Sequence, residues 1–233
     1  MLDGVTFSIE PGESVVIIGA SGGGKSILLK HLIGLMTPDS GEVLIDGDSL
    51  TGKNERALIE VRKKFGMLFQ SAALFDSMTV AENIGFVLQR NKKNSPAEIK
   101  ERVTEALEMV ELSGTESKKP AELSGGMRKR VGLARAIVYR PEIVLYDEPT
   151  TGLDPIVADS IDRLMLKVVE HLKVTSVIVT HDMRSARMVG KRILMLHEGK
   201  IYASGTPEEI FSSRDPIVHR FVNGISVEKE HTF

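Results

Sequence analysis

Short apolar runs alternate along the chain with stretches of helical periodicity. Several runs are apolar at consecutive positions, which is typical of strands buried on both faces of a parallel sheet. The predicted strands are VVIIG (15–19), FGMLF (65–69), IVLYDE (143–148), VTSVIVTH (174–181) and RILMLHEG (192–199). The pattern therefore predicts an α/β fold with a mixed or parallel sheet at its core.

Two longer helices have recognisable start signals. Residues 155–172 carry an apolar stripe at helical spacing, with Asp154 as N-cap and Pro155 at the first helical position. Residues 95–112 begin with the capping box SPAE (95–98) and continue with apolar residues three or four positions apart. We therefore expect a helical insert between two strands of the sheet.

We expect one domain whose sheet core spans residues 1–70 and 141–223. Residues 71–140 would form the helical lobe, a further short helix would start at TPEE (206–209), and the polar residues 224–233 would form a fraying tail. No internal repeat or low-complexity segment interrupts this organisation.

The amino-acid composition indicates which classes of binding partner to expect. Of the 233 residues, 42% are hydrophobic, and 30 basic against 32 acidic residues give a net charge of −2. Because the two signs are interspersed, the balance gives no general reason to expect nucleic acid as a partner. The absence of cysteine suits a reducing cytosol. We expect neither a secretory signal nor a membrane-spanning run of about 20 apolar residues.

The first predicted strand runs into GASGGGKS (19–26), which matches the phosphate-binding loop G-x-x-x-x-G-K-[ST]. Glycines let successive backbone N–H groups turn towards a polyphosphate, and the following helix adds the positive end of its dipole. We expect Lys25 to reach the β- and γ-phosphates of a nucleotide and Ser26 to ligate Mg²⁺. The alternative is an incidental glycine-rich turn. The predicted nucleotide-binding residues are Gly19, Ala20, Ser21, Gly22, Gly23, Gly24, Lys25, Ser26 and Ile27.

Polar residues end three other predicted strands. Asp147 is suited to hold Mg²⁺ through water, and Glu148 to deprotonate an attacking water. His181 is placed to contact the γ-phosphate, and the Gln70 amide to bond to it or to Mg²⁺-bound water. A polar residue at the end of a strand is more often solvated or structural than catalytic. The presence of the phosphate loop in the same chain makes the catalytic interpretation the favoured one. The predicted catalytic residues are Glu148, His181, Lys25 and Gln70, and the predicted metal ligands are Ser26, Gln70 and Asp147.

The segment LSGGMRKRVGLARA (123–136) opens a predicted helix with three cations near the end where the helix dipole is already positive. These cations are Arg128, Lys129 and Arg130. One explanation is an anion bound at this helix start. The alternative is a solvated amphipathic helix, which is the favoured interpretation for Lys129 taken individually.

With these motifs in this order, the chain resembles the nucleotide-binding subunit of ATP-binding-cassette (ABC) transporters over nearly its whole length. The order is GASGGGKS, Gln70, LSGGM, IVLYDE, TTGLD ending at Asp154, and His181. The resemblance implies a P-loop NTPase fold of the ABC nucleotide-binding-domain type and Mg²⁺-dependent ATP hydrolysis. It also implies a head-to-tail homodimer in which LSGG of one copy caps the ATP of the other. The residues implied to contact ATP across that dimer are Ser124, Gly125, Gly126 and Asp154.

Shorter cues resemble one branch of the family. Met127 stands where most ABC proteins have Gln, and SAALFDSMTVAENIGF (71–86) and FVNGI (221–225) are similar to the ATPase of Mla/Mce-type lipid transporters. That resemblance implies phospholipid transport across the bacterial envelope with permease subunits and an Mce-domain lipid-binding protein. The ATPase would lie peripherally on the cytoplasmic side of the inner membrane. A permease helix would dock beside the helical lobe, where Leu74 and Phe75 either line the groove or pack in the lobe.

The chain departs from the family at its first residues, where no aromatic residue precedes LDGVTFSI to stack on adenine. Either the true start lies upstream, or the base is held loosely and ATP, GTP and CTP compete within a small factor. Other interpretations are an ABC importer for a solute or ion, a soluble ABC ATPase acting on DNA or ribosomes, a phosphate-loop kinase or GTPase, and an inactive scaffold cassette.

Overall fold

The computed structural model describes residues 2–90 and 94–226 of the chain. The strands in these ranges are β1 (Ser14–Gly19), β2 (Leu44–Ile45), β3 (Asp48–Ser49), β4 (Phe65–Leu68), β5 (Ile143–Asp147), β6 (Thr175–Val179), β7 (Arg192–His197) and β8 (Lys200–Gly205). The α-helices are α1 (Lys25–Leu32), α2 (Glu55–Arg62), α3 (Val80–Gln89), α4 (Pro96–Met109), α5 (Gly125–Ile137), α6 (Pro155–Leu172), α7 (Met183–Val189), α8 (Pro207–Phe211) and α9 (Pro216–Val222).

The main sheet of the described residues has the strand order β4-β5-β6-β1-β7-β8. The first five strands of this order run parallel, and β8 pairs antiparallel with β7. The prediction of a mixed or parallel sheet is confirmed, and the sheet is mixed because β8 is antiparallel. Because β1, β4, β5 and β6 are parallel, their carboxyl ends lie along one edge of the sheet.

Both faces of the main sheet are covered. Successive side chains of a strand point to opposite faces, so Val16 and Ile18 of β1 join a larger core with buried residues of α3 to α7. Val15 and Ile17 join a smaller core on the other face, with Leu28 of α1. This burial on both sides explains why the strands read as continuous apolar runs rather than as alternating ones.

The predicted start signals of the long helices are present. Asp154 caps α6 by accepting two backbone N–H hydrogen bonds, and the helix covers the predicted range Pro155–Leu172. Ser95 caps α4 in the predicted capping box. This helix ends at Met109, three residues earlier than predicted, and Glu111 just beyond it has a left-handed backbone with φ of 58°.

The C-terminal part of the described chain holds one predicted and two unpredicted elements. Thr206 caps α8 in the predicted capping box. The strand β8 and the helix α9 were not predicted, although β8 alternates between exposed and half-buried positions and Asp215 caps α9. Of the predicted fraying tail, residues 227–233 lie outside the described residues.

The loop that follows Gln70 is held by the side chain of Asn83, which is fully buried on α3. Asn83 accepts a hydrogen bond from the Phe75 N–H at 2.8 Å and donates to the Phe75 and Thr79 carbonyl oxygens at 3.0 Å each. Leu74 packs against the larger core, whereas Phe75 is 43% exposed. Leu74 therefore packs in the lobe, which is one of the two interpretations given above. Phe75 lies at the surface, where it is accessible to a partner.

Candidate functional site

Four strands deliver polar residues to one edge of the sheet. The phosphate loop follows β1, and Gln70 lies two residues beyond the end of β4. Asp147 ends β5 opposite Val179 of β6, and His181 follows two residues after Val179. The predicted residues therefore converge at the carboxyl edge, where α/β sheets bind their ligands.

The loop between β1 and α1 is folded around the ammonium group of Lys25. Lys25 Nζ donates to the carbonyl oxygens of Gly19 and Ala20 at 2.8 and 3.1 Å. Gly22 and Gly24 have φ values of 76° and 98°, a left-handed backbone that glycine adopts without a steric penalty. A glycine-rich turn around a buried cation at a helix start fits a polyphosphate. Of the predicted loop residues, Ala20, Ser21, Gly22 and Ser26 are exposed, Gly23 and Ile27 are half-buried, and Gly19, Gly24 and Lys25 are buried.

Ser26 and Asp147 meet beside this loop. Ser26 Oγ donates to Asp147 Oδ1 at 2.9 Å, which joins the start of α1 to the end of β5. Within residues 2–90 and 94–226, no cluster of three or more His, Asp or Glu side chains forms an all-protein metal site. Mg²⁺ commonly takes one or two protein ligands and completes its shell with water and phosphate, so this pair fits a magnesium site. Gln70, the other predicted ligand, is exposed at the same edge.

The carboxylate of Glu148 lies at the centre of a polar cluster. Oε2 lies 2.8 Å from His181 Nδ1 and accepts a 3.0 Å hydrogen bond from Thr151 Oγ1. Oε1 lies 3.8 Å from Lys25 Nζ. Glu148 is 8% exposed, which limits its hydration, and its partners fix its orientation. Sequence reasoning missed Thr151, and the available signal was a hydroxyl three residues after the acid.

Two buried lysines flank the acidic end of β5. Burial lowers the pKa of Lys25, and the negative charges of Glu148 and Asp147 oppose this shift. Burial likewise lowers the pKa of Lys129, and the same two carboxylates oppose it. Both lysines therefore lie close enough to the two carboxylates at the end of β5 to be affected by their charge.

The expectation that Lys129 faces solvent is wrong. Lys129 is 5% exposed, and its Nζ donates to the main-chain oxygen of Glu148 at 3.1 Å. Consecutive residues of an α-helix point about 100° apart, so three adjacent cations cannot share one face. Arg128 is exposed, Lys129 turns inward, and Arg130 is half-buried with its guanidinium donating to the Val110 carbonyl oxygen at 3.0 Å.

The start of α5 is capped by Ser124, whose Oγ accepts the Met127 N–H at 3.3 Å. Ser124 is exposed, and a hydroxyl that accepts at its oxygen keeps its own hydrogen as a donor. The inward side chains of this helix include Val131 and Leu133, both fully buried.

The LSGG and TTGLD motifs pack together within the chain. Gly126 is buried, and a Cβ added there would lie 2.5 Å from Val157 Cγ1. A Cβ added to Gly125 would lie 3.4 Å from Leu153 Cδ2. Asp154, between these two contacts, is exposed and caps α6 through Oδ1. A side chain at position 126 would therefore require the Val157 side chain to move or α5 and α6 to separate.

The chain matches a known protein family over a segment that includes the phosphate loop, Gln70, LSGG and Glu148. Residues 2–151, more than half of the chain, match the ABC transporter family. The chain belongs to the ABC transporter family. Its fold is the ABC ATPase form of the P-loop NTPase fold, and the ATP-binding domains of this family bind and hydrolyse ATP.

Curated ABC relatives cover nearly the whole chain. The probable ribonucleotide transport ATP-binding protein mkl of Mycobacterium leprae is 43% identical over 220 residues, which are 94% of this chain and 63% of the relative. The chloroplastic protein TRIGALACTOSYLDIACYLGLYCEROL 3 of Arabidopsis thaliana is 43% identical over 243 residues, which are 96% of this chain and 69% of the relative. The chain thus spans about three fifths of the length of the mycobacterial relatives it matches.

A solved ABC cassette has the same fold. The ATP-binding cassette MJ0796, in a dimeric post-hydrolysis state bound to ADP and Pi, superposes with a TM-score of 0.81 at 36% identity. The match covers 88% of this chain and 90% of that chain. None of the helices in the described part of this chain has the length and apolar character needed to span a membrane.

Proposed function

We propose that this ABC chain is the ATP-hydrolysing subunit of a transporter and that it powers lipid transport, in particular of phospholipid, across the bacterial envelope through a separate permease. One observation carries the catalytic part: Lys25, Thr151 and His181 surround the buried carboxylate of Glu148 beside a phosphate loop. A silent scaffold cassette has no use for this arrangement.

The proposed reaction uses Glu148 as the general base. Its carboxylate takes a proton from a water whose oxygen bonds to the γ-phosphorus of ATP, and the bond to the ADP oxygen breaks to give ADP and Pi. Thr151 and His181 hold the carboxylate in place, and Lys25 exchanges its contacts with loop carbonyls for the β- and γ-phosphates.

We assign Ser26 and Asp147 as the residues that hold Mg²⁺, with Gln70 bonding to its water or to the γ-phosphate. When bound, Mg²⁺ would neutralise the negative charge on the phosphate oxygens. The hydrogen bond between Ser26 and Asp147 supports this assignment because it already keeps the two ligand oxygens adjacent. The loop residues Gly19 to Ile27 would enclose the phosphates.

We propose a head-to-tail homodimer that closes around two ATP molecules. The Ser124 hydroxyl and the N–H groups of Gly125 and Gly126 would contact the γ-phosphate held by the partner, since a helix start attracts anions. Because Asp154 Oδ1 caps α6, the contact proposed for Asp154 would use its other oxygen or its backbone. The dimeric state of the related MJ0796 cassette supports this proposal.

We propose that the helical lobe, residues 71–140, binds the permease, while the core, residues 1–70 and 141–223, binds ATP. The exposed Phe75 ring lies 5.0 Å from the Phe86 ring, centroid to centroid. Arg135 approaches the Phe75 ring to 5.9 Å. Its guanidinium also donates to two carbonyl oxygens of the loop at 2.8 Å each. An exposed aromatic side chain held by a fixed loop is suited to receive a helix of a partner.

The proposal of a lipid substrate is based on short sequence similarities to one branch of the family and on the name of one relative. Met127 and the segments 71–86 and 221–225 resemble the Mla/Mce-type ATPases, and the Arabidopsis relative bears the name of a glycolipid. On this basis we propose an Mce-domain lipid-binding partner and a peripheral position at the cytoplasmic side of the inner membrane. The name of the mycobacterial relative favours a second candidate, a transporter of a ribonucleotide or similar solute.

Affinity capture of the Glu148→Gln protein from membranes of its own cells, with Mg²⁺ and ATP, tests the proposal. We expect a permease, an Mce-domain protein and co-extracted phospholipid, identified by mass spectrometry. Capture of a permease together with a solute-binding protein would keep the transporter assignment but show that the substrate is a solute and not a lipid. Ribosomal or DNA-repair proteins in place of a permease would overturn the transporter assignment. Capture with ADP instead of ATP is the matched control.

A further inference from the structure

Lys129 is a buried cation whose side chain, within the described part of the chain, donates one hydrogen bond, to the backbone of Glu148. Its Nζ donates to the Glu148 main-chain oxygen at 3.1 Å, and the residue is 5% exposed. A lysine ammonium loses hydration when it is buried, so a buried lysine is stable only where the structure supplies partners. The contact is therefore a built feature of the interface between α5 and the end of β5.

The backbone of Glu148 needs such a contact. Glu148 has φ of 49°, a left-handed conformation that costs free energy for any residue other than glycine. Its N–H donates to the Val179 carbonyl oxygen at 2.9 Å, which holds one side of the residue. Its carbonyl oxygen receives Lys129 and, at a longer 3.4 Å, the Thr151 N–H. Lys129 is thus the stronger anchor on the carbonyl side.

The same helix connects this anchor to the LSGG motif. Ser124 caps α5, and Lys129 follows five residues later, about 7.5 Å along the axis at 1.5 Å per residue. A movement of the α5 start is therefore transmitted through less than two helical turns to the oxygen of Glu148.

We infer that Lys129 is a positioning residue, which ties the backbone of Glu148 to α5 so that engagement of the α5 start aligns the carboxylate of the same protomer. The inference rests on the proposed function, since Ser124 is assigned there to the ATP of the partner. In the closed dimer each ATP would thereby set the base of the opposite site. Removing the tie is expected to lower kcat without weakening ATP binding.

Steady-state kinetics of Lys129→Met, Lys129→Arg and Arg130→Met test the catalytic consequence. Methionine keeps the length and apolar stem but loses the donor, and we expect kcat to fall about tenfold or more with KM for ATP within about twofold. Arginine keeps the donor and should retain most of kcat. Arg130→Met removes a neighbouring donor that bonds to the Val110 oxygen, away from Glu148, and should leave kcat near the wild-type value. Unchanged kcat in Lys129→Met, or an equal loss in Arg130→Met, would overturn the inference.

Amide hydrogen exchange of residues 148–152 in the nucleotide-free protein tests the tie itself. We expect faster exchange of this segment in Lys129→Met than in the wild type, and no change in Arg130→Met. Equal exchange in all three proteins would overturn the inference whatever the kinetics show. If the wild type does not hydrolyse ATP, the proposed function fails, and the exchange data still decide whether Lys129 holds the backbone of Glu148.

Discussion

Replacing Asp162 by asparagine should stabilise the protein at neutral pH. Asp162 lies on α6, is 2% exposed, and accepts a 2.8 Å hydrogen bond from Ser185 at Oδ2. Its other oxygen, Oδ1, is buried with no hydrogen-bond partner in the described part of the chain. Burial raises the pKa of this carboxyl to about 6, and the charges of Asp182 and Asp159 add to the rise against Ser185 and Arg184.

The magnitude follows from the two pKa values. An aspartate with the ordinary pKa of 3.8 in the unfolded chain and about 6 in the fold binds the extra proton in the folded state between these pH values. The free energy of unfolding therefore falls as pH rises through this window, by about 3 kcal/mol in total at about 1.4 kcal/mol per pH unit. Asparagine does not titrate, so the variant should gain up to this amount relative to the wild type between about pH 4 and about pH 7.

Urea unfolding followed by circular dichroism at several pH values measures this difference, because the chain has no tryptophan for fluorescence. The matched control is Asp159→Asn on the same helix. A hydrogen bond from Arg163 lowers the pKa of Asp159 below its ordinary value of 3.8, so the stability difference between that variant and the wild type should change with pH only below this value and stay constant between about pH 4 and about pH 7. A stability difference between Asp162→Asn and wild type that is constant across the window would refute the reasoning.

Three further single substitutions, one of them with a compensating second change, probe packing and binding. Gly66→Ala places a Cβ 2.2 Å from the Ala136 carbonyl oxygen, and we expect it to cost about 3 kcal/mol in thermal unfolding. Gly126→Ala drives a Cβ against Val157, so it should lower the melting temperature and the additional substitution Val157→Ala should restore it. Lys25→Ala should weaken ATP binding in calorimetry at least about tenfold without lowering the melting temperature, because the buried ammonium is costly to desolvate.

The parts of the fold that could be predicted are those with local signals. The helix α6 follows from the Asp154 cap, the following proline and an apolar stripe, and its range matches the prediction. The buried strands β1 and β5 follow from continuous apolar runs bounded by glycine or acid. The order of the strands depends on contacts between distant segments and could not be obtained from local pattern.

The residues of the candidate site also include some that local sequence patterns predict and others that they do not. Motif spacing predicted that Ser26, Asp147, Glu148 and His181 meet, because the ends of parallel strands must share an edge. Lys129 was misassigned because a run of charges on a helix usually faces solvent, and only the packing of α5 on the end of β5 turns this lysine inward.

The central claim is that two copies of this chain close around ATP and that Glu148 then drives hydrolysis. Light scattering of the Glu148→Gln protein with saturating Mg²⁺ and ATP, alongside its ATP turnover, tests it most directly. We predict a shift from the 25.5 kDa monomer to about twice that mass, together with loss of nearly all turnover. A variant that stays monomeric with ATP, or that hydrolyses ATP at nearly the wild-type rate, would contradict the account.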